Sequence, residues 1–238
     1  MRDDVAVDLI VFGPHPDDLE IGMGAAIARH TAEGRHVGLC DLTAGELGSN
    51  GTPEQRRLEA ARAADVLGAA WRENLGWPDG GIEPTPDHIR SVVDLLRRHR
   101  PRAIAVPYWQ DRHPDHAAAS QVLTAAAFRS GLRRYVTDAG PWRPSWICYY
   151  FINDSVPPSF VIDVSSYYAR KREALACHQS QFAPVDPDAA ATRLTADTFR
   201  QLIESRDAQF GALAGVAFAE GFVVREPVAR ASLLRELP

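Results

Sequence analysis

Cysteine, lysine and long apolar runs are what this 238-residue sequence has least of. Its three cysteines, Cys40, Cys148 and Cys177, are odd in number and form no Cys-x-x-Cys pair, which excludes a disulfide scaffold and a thiolate zinc cluster. They read as reduced thiols, with Cys40 a small core residue inside a strand. No stretch of about 18 apolar residues occurs, so nothing reads as spanning a membrane. Arg2-Asp3-Asp4 leads straight into a strand pattern without the apolar core of a signal peptide, which predicts a cytoplasmic protein. Basic charge is not in excess: the formal net charge is −5, which speaks against a nucleic-acid partner, whose readers carry a basic face. Lys171 is the only lysine, a compositional bias taken to have no bearing on function.

What is present is an alternation of strand and helix patterns. Residues 7–12 read as a buried strand, 19–33 as a helix closed by Gly34, and 36–43 as a second strand. A glycine-rich loop follows over 44–51, then a helix from Thr52 to Leu67 with a threonine cap and proline at its first position. A short strand is expected over 74–77, a turn at Pro78-Asp79-Gly80-Gly81, and an amphipathic helix over 86–99. The spacing then predicts a strand over 103–106 and a helix over 116–128. In the second half, strands are expected at 146–153, 160–164 and 220–225, helices at 166–178 and 197–214, and a loop at 182–195. Such alternation implies an α/β fold, Rossmann-like, with three α/β/α layers and a mostly parallel sheet. One domain is expected across 1–238, with 1–130 carrying the chemistry and 131–238 completing the sheet and helices.

Two strings stand just past strands: His15-Pro16-Asp17-Asp18 and His113-Pro114-Asp115-His116. Residues at the carboxyl ends of strands line one crevice in an open parallel sheet, so the two can meet. His15 and Asp18 are three apart at a helix start, where their side chains share a direction. With His116 they make two imidazoles and one carboxylate, a set that leaves a coordination position open as in catalytic zinc. Asp17 is left to accept a proton from water, and His113, paired with Asp115, to serve as an imidazolium facing a developing oxyanion. Either string alone reads equally well as a capped helix start or a turn. Both at strand ends favour the metal site.

At these residues the chain resembles the PIG-L/LmbE-like family of metal-dependent N-deacetylases. The resemblance of the second string begins at Asp111-Arg112, and supporting stretches are Thr43 to Ser49, Arg56 with Glu59, Leu75 to Gly80, Arg143-Pro144, His178 to Gln181, and Ala219 to Phe222. Pro14 stands where the family commonly has alanine. The resemblance implies Zn2+ (Fe2+ or another divalent ion being the alternative) on His15, Asp18 and His116. It also implies Asp17 as general base, His113 as the charged electrophile and Asp115 as its orienter. The branch most resembled removes acetate from N-acetylglucosaminyl malate in bacillithiol biosynthesis. A homo-oligomer is implied as well.

For the sugar conjugate itself, Glu46, Ser49, Arg56, Asp79 and Arg143 are the candidate contacts, each with a structural reading beside it. Glu46 and Ser49 read equally as a polar loop. Arg56 opposes a helix dipole, which suggests a carboxylate partner, either the substrate or Glu59. Asp79 also fits an ordinary turn. His178 ends a helix, as a cap or a subunit contact, and His30, His36, His88 and His99 are expected on the surface. Three other functions compete: amidase action on another acetylated glycoside or thiol conjugate, a non-haem iron oxygenase, and a non-catalytic sugar-binding module.

Overall fold

In the computed structural model, which describes residues 7–229, strand β1 (Leu9–Gly13) has both faces covered. Ile10 and Phe12 enter one apolar cluster and Val11 the other, all fully buried. Such two-sided burial is the mark of a sheet sandwiched between helices. Strand β2 (Val37–Thr43) follows suit, with Cys40 and Leu42 on one side and Leu39 on the other.

Helices α1 (Asp18–Ala32) and α2 (Pro53–Leu67) supply Ile27, Ala63 and Leu67 to the cluster on one face. Helices α3 (Pro86–His99) and α4 (Pro114–Ser130) supply Val92, Leu96, Val122 and Leu123 to the other. Strands β3 (Trp71–Trp77), β4 (Ala103–Pro107), β5 (Trp146–Tyr150), β6 (Phe160–Asp163) and β7 (Ala219–Val223) complete seven. Their order is β3-β2-β1-β4-β5-β7-β6, parallel from β3 through β5, with β7 antiparallel to both its neighbours. Helices α5 (Tyr168–Cys177), α6 (Gln179–Phe182) and α7 (Asp197–Ala214) fill the remainder. The expected three-layer, mostly parallel α/β architecture is what the chain forms. Strand order reverses between β1 and β4, and that switch point opens the crevice.

Caps explain why several boundaries agree with the sequence. Thr52 Oγ1 accepts from the Gln55 amide at 3.1 Å and Thr85 Oγ1 from His88 at 3.2 Å, each followed by proline at the first helical position. Gly68 closes α2 in the left-handed region at φ 73°.

Elsewhere the structure differs from expectation for local reasons. Edge strand β3 starts three residues early, at Trp71, because a charged edge strand carries little apolar signal. Strand β5 stops at Tyr150, and Asn153 turns instead to grip Asp111 through its amide and Nδ2, at 3.0 and 2.9 Å. Helix α4 begins at Pro114 with His113 as its cap. The helix expected over 166–178 ends with His178 as its C-cap, the amide donating to the Leu175 carbonyl at 3.1 Å, while the side chain is buried against Glu20, 3.3 Å away. His99 is also inside, its ring tilted against Trp71 with centroids 4.4 Å apart. Lys171 is fully buried too, its Nζ 2.7 Å from both Asp207 and Glu220. Arg2-Asp3-Asp4 lies outside the described residues. Among the described residues no helix is long and apolar enough to cross a membrane.

Candidate active site

The loop leaving β1 is fastened before any reactive group is placed. The Pro14 carbonyl accepts from both the amide and the hydroxyl of Thr43, each at 3.0 Å, which ties the loop to β2. Asp17 then caps α1 at φ 131° and ψ −26°, a region disfavoured for any residue with a Cβ and costing about 1–3 kcal/mol. Arg56 holds that strained turn. Its guanidinium donates to the carbonyls of Pro16 and Gly45, both at 2.9 Å, and to Asp17 Oδ2 at 3.4 Å. Gly45, at φ 67°, is required here, since a Cβ would collide with that guanidinium.

Around this base the two strings converge. Asp18 Oδ2 lies 3.1 Å from His15 Nδ1 and 3.4 Å from His116 Nε2, and the donor atoms of all three fall within 4.8 Å of one another. Each imidazole is backed on its other nitrogen. His15 Nε2 faces Asp79 at 3.1 Å and Asp115 at 3.2 Å, while His116 Nδ1 faces Asp111 at 3.0 Å. Backing carboxylates of this kind orient and strengthen metal-binding histidines.

The electrostatics say the same. Burial alone pushes the His15 and His116 pKa values down, yet the carboxylates around them win. His15, facing Asp115, Asp18 and Asp79, ends well above its usual value, and His116, facing Asp18 and Asp111, at about 9. Burial also opposes ionisation of Asp18, but the adjoining imidazoles hold it well below the ordinary carboxylate range. Two imidazoles kept protonated around one shared carboxylate mark a place where positive charge is wanted. A divalent cation replacing those protons fits the donor set of two histidines and one carboxylate.

Asp17 is different. Burial drives its pKa up to about 6, with Arg56 limiting the rise, so it is a carboxylate poised near neutrality. His113 stacks on His116, centroids 4.7 Å apart, and meets His15 edge-on at 4.9 Å. Its Nδ1 accepts the Asp115 amide at 3.3 Å, which leaves Nε2 as the protonated nitrogen. Two details depart from expectation. The Asp115 carboxylate turns to His15 and the Gly80 amide (2.9 Å), so Asp115 positions His113 through its backbone. Burial and the nearby His116 and His15 lower the His113 pKa, which works against the imidazolium form expected of a charged electrophile.

The other expected contacts scatter. Asp79 joins the cluster and also accepts the Leu47 amide at 2.9 Å, while Glu46 accepts the Asp79 amide at 2.8 Å, so the two loops clasp at the crevice mouth. Ser49 is exposed on the same loop. Arg56 lies under the site, its Nη1 and Nη2 taken by carbonyls and Asp17. Glu59, its alternative partner, instead accepts from the Ser180 amide and hydroxyl at 2.8 and 2.7 Å. Arg143 is at the opposite end of the sheet, ahead of β5, donating to the Phe128 carbonyl at 2.8 Å and covering that ring. Sequence reasoning gave Asp111, which backs His116, no role of its own. Its signal was present, a carboxylate at the strand exit five residues before that histidine. It missed Glu20, whose carboxylate meets Arg72 at 2.6 Å beneath α1 and has no surface signature.

A family profile described as "PIG-L: GlcNAc-PI de-N-acetylase" matches residues 10–127, the span from β1 into α4 that carries both strings. The chain is 31% identical to 1D-myo-inositol 2-acetamido-2-deoxy-alpha-D-glucopyranoside deacetylase 2 of Saccharopolyspora erythraea, covering 75% of this chain and 85% of that one. It is 29% identical to the probable N-acetyl-alpha-D-glucosaminyl L-malate deacetylase 2 of Bacillus anthracis, over 74% and 81% respectively. Among solved structures, the conserved protein TT1542 from Thermus thermophilus superposes with a TM-score of 0.88 at 37% identity, covering 97% of this chain and all of that one. With one curated relative above 30% identity matched over most of its length, and the family profile lying across both strings, the chain belongs to the PIG-L family of deacetylases.

Proposed function

We propose that this protein is a divalent-metal-dependent hydrolase that removes the N-acetyl group from an N-acetylglucosamine conjugate. N-acetylglucosaminyl malate, the substrate named for the Bacillus anthracis relative, is the favoured conjugate, and bacillithiol biosynthesis its setting. The observation that carries the reading is the convergence of His15, Asp18 and His116 with an unshared carboxylate, Asp17, beside them. His15, Asp18 and His116 would hold the cation, with Zn2+ favoured and Fe2+ the alternative. Bound there, the cation supplies Lewis acidity and makes water easier to ionise.

The chain's own residues do the rest. Asp17 accepts a proton from water as it adds to the acetyl carbonyl carbon. The Nε2–H of His113 donates to the carbonyl oxygen as negative charge gathers there. Arg56 keeps Asp17 ionised and fixed, and Asp111 and Asp115 keep the imidazoles turned. The carbon–nitrogen bond then breaks, Asp17 returns its proton to the leaving nitrogen, and acetate and a free amine result. We place the enzyme in the cytoplasm as a homo-oligomer acting on a small molecule.

The test is acetate release from N-acetylglucosaminyl malate together with metal analysis. Asp17→Asn should retain a full equivalent of cation and lose about 10²–10⁴-fold in kcat. A metal-loaded Asp17→Asn enzyme with unchanged turnover would remove the base from this scheme, and oxygen uptake during turnover would favour the oxygenase reading.

A further inference from the structure

The structure leaves one question that the family does not answer: which group on this chain meets the part of the conjugate beyond the sugar. The arginines first suggested by sequence are engaged elsewhere. Arg56 is buried under Asp17, and Arg143 lies at the far end of the sheet. A third arginine lies next to the reacting groups. Arg112 directly precedes His113, is exposed, and makes no hydrogen bond or ion pair among the described residues.

Arg112 lines a cavity of about 390 Å³ at the carboxyl ends of β4 and β5. The β4–α4 connection gives it Trp109, Gln110 and Arg112, and the loop after β5 gives it Asp154 and Ser155. Trp109 is clamped between the guanidinium of Arg225, 4.4 Å from the ring, and Tyr149, at 4.8 Å between centroids. Asp111, also on the wall, is committed to His116 and Asn153. The lining thus carries the Arg112 guanidinium with the carboxylates of Asp154 and the already engaged Asp111, and Arg225 adds a cation against Trp109. The cavity combines a flat aromatic wall, amide and hydroxyl groups, and an unpartnered planar cation matched to carboxylates. Asp111 and Ala117 on its lining flank His113 and His116, so it adjoins the candidate centre directly.

We propose that this cavity is the aglycone subsite and that Arg112 selects conjugates whose aglycone carries a carboxylate. The inference rests on the deacetylase reading above and names the group that makes one conjugate better than another. An exposed guanidinium without a protein partner keeps its donors for the ligand. A neutral polyol aglycone would still meet Gln110 and Ser155 but would forgo the charge-assisted pair.

The test compares N-acetylglucosaminyl malate with its uncharged dimethyl ester and with an inositol conjugate. The wild-type enzyme should favour the free malate by about 10- to 100-fold in kcat/KM, mostly through KM, as expected for one charge-assisted pair. Arg112→Ala should collapse that ratio, Arg112→Lys should restore part of it, and Arg112→Glu should invert it. Arg134→Ala, in the turn beyond the far end of α4, should leave the ratio alone. Calorimetry on metal-loaded Asp17→Asn protein gives the same comparison without turnover. Equal affinity for acid and ester, unchanged by Arg112→Ala, would overturn the subsite. Failure to release acetate from any of the three would overturn the deacetylase reading instead, and calorimetry would still decide the subsite.

Discussion

At the scale of single residues, Asp17 and Arg56 are one device. A carboxylate serves as a base near neutral pH only if its environment raises its pKa without burying it as a neutral acid. Burial supplies the rise and Arg56 stops it at about 6. Asp17 must be ionised to accept a proton, so kcat/KM should fall as pH drops through its pKa. Arg56→Gln removes the cation that favours the ionised form, and the acid limb should therefore move upward, by about one pH unit. The measurement is a pH profile of kcat/KM, and an unmoved limb would separate Arg56 from the base. Asp17 was legible because an unligated carboxylate next to a ligating one has few other uses. Arg56 was visible but misread. A cation near a helix start suggested a ligand, whereas the opposing groups are the Pro16 and Gly45 carbonyls, which only the folded loop brings near.

At the scale of elements, α3 and α7 were legible to the residue because caps and apolar spacing are written locally. Helix α1 was not. Its backbone leaves helical geometry at Met23, and the carboxylate of Glu220 accepts the amides of Ala25 and Ala26, at 3.1 and 2.6 Å, as a cap for the second segment. That carboxylate arrives from β7, almost two hundred positions away, so no local pattern announces it. Lys171, set aside as a compositional accident, balances it. With Asp207 it forms a buried triad joining α1, α5, α7 and β7. Lys171→Met leaves the buried Glu220 carboxylate without its cation, while Asp207 keeps Arg206 at 3.0 Å, and should cost about 3–5 kcal/mol in denaturant unfolding. The double change Lys171→Met with Glu220→Gln should recover part of that loss. If the single substitution proves neutral, the triad does not hold these elements together.

At the scale of the whole molecule, the centre and the cores are separable. The reactive groups all stand past the carboxyl ends of β1 and β4 or on loops, while the two apolar clusters lie on the faces of the sheet below them. That division made the site's position legible from topology alone, since the reversal in strand order falls where both strings emerge. The substrate contacts were not legible, because they depend on how the loops over 44–51 and 78–81 and the chain after β5 fold back on one another. A cation at such a site stabilises by binding the folded state alone, about 2.7 kcal/mol at a hundredfold excess over Kd. For a domain of this length each kcal/mol moves Tm by roughly 2–4 °C. Chelation should therefore lower Tm by about 5–10 °C while far-UV circular dichroism and a single cooperative transition persist. His15→Ala should abolish the difference between loaded and chelated protein. Loss of secondary structure on chelation would mean instead that the cation holds the sheet together, as a structural ion does, and the open-site reading of His15, Asp18 and His116 would fall with it.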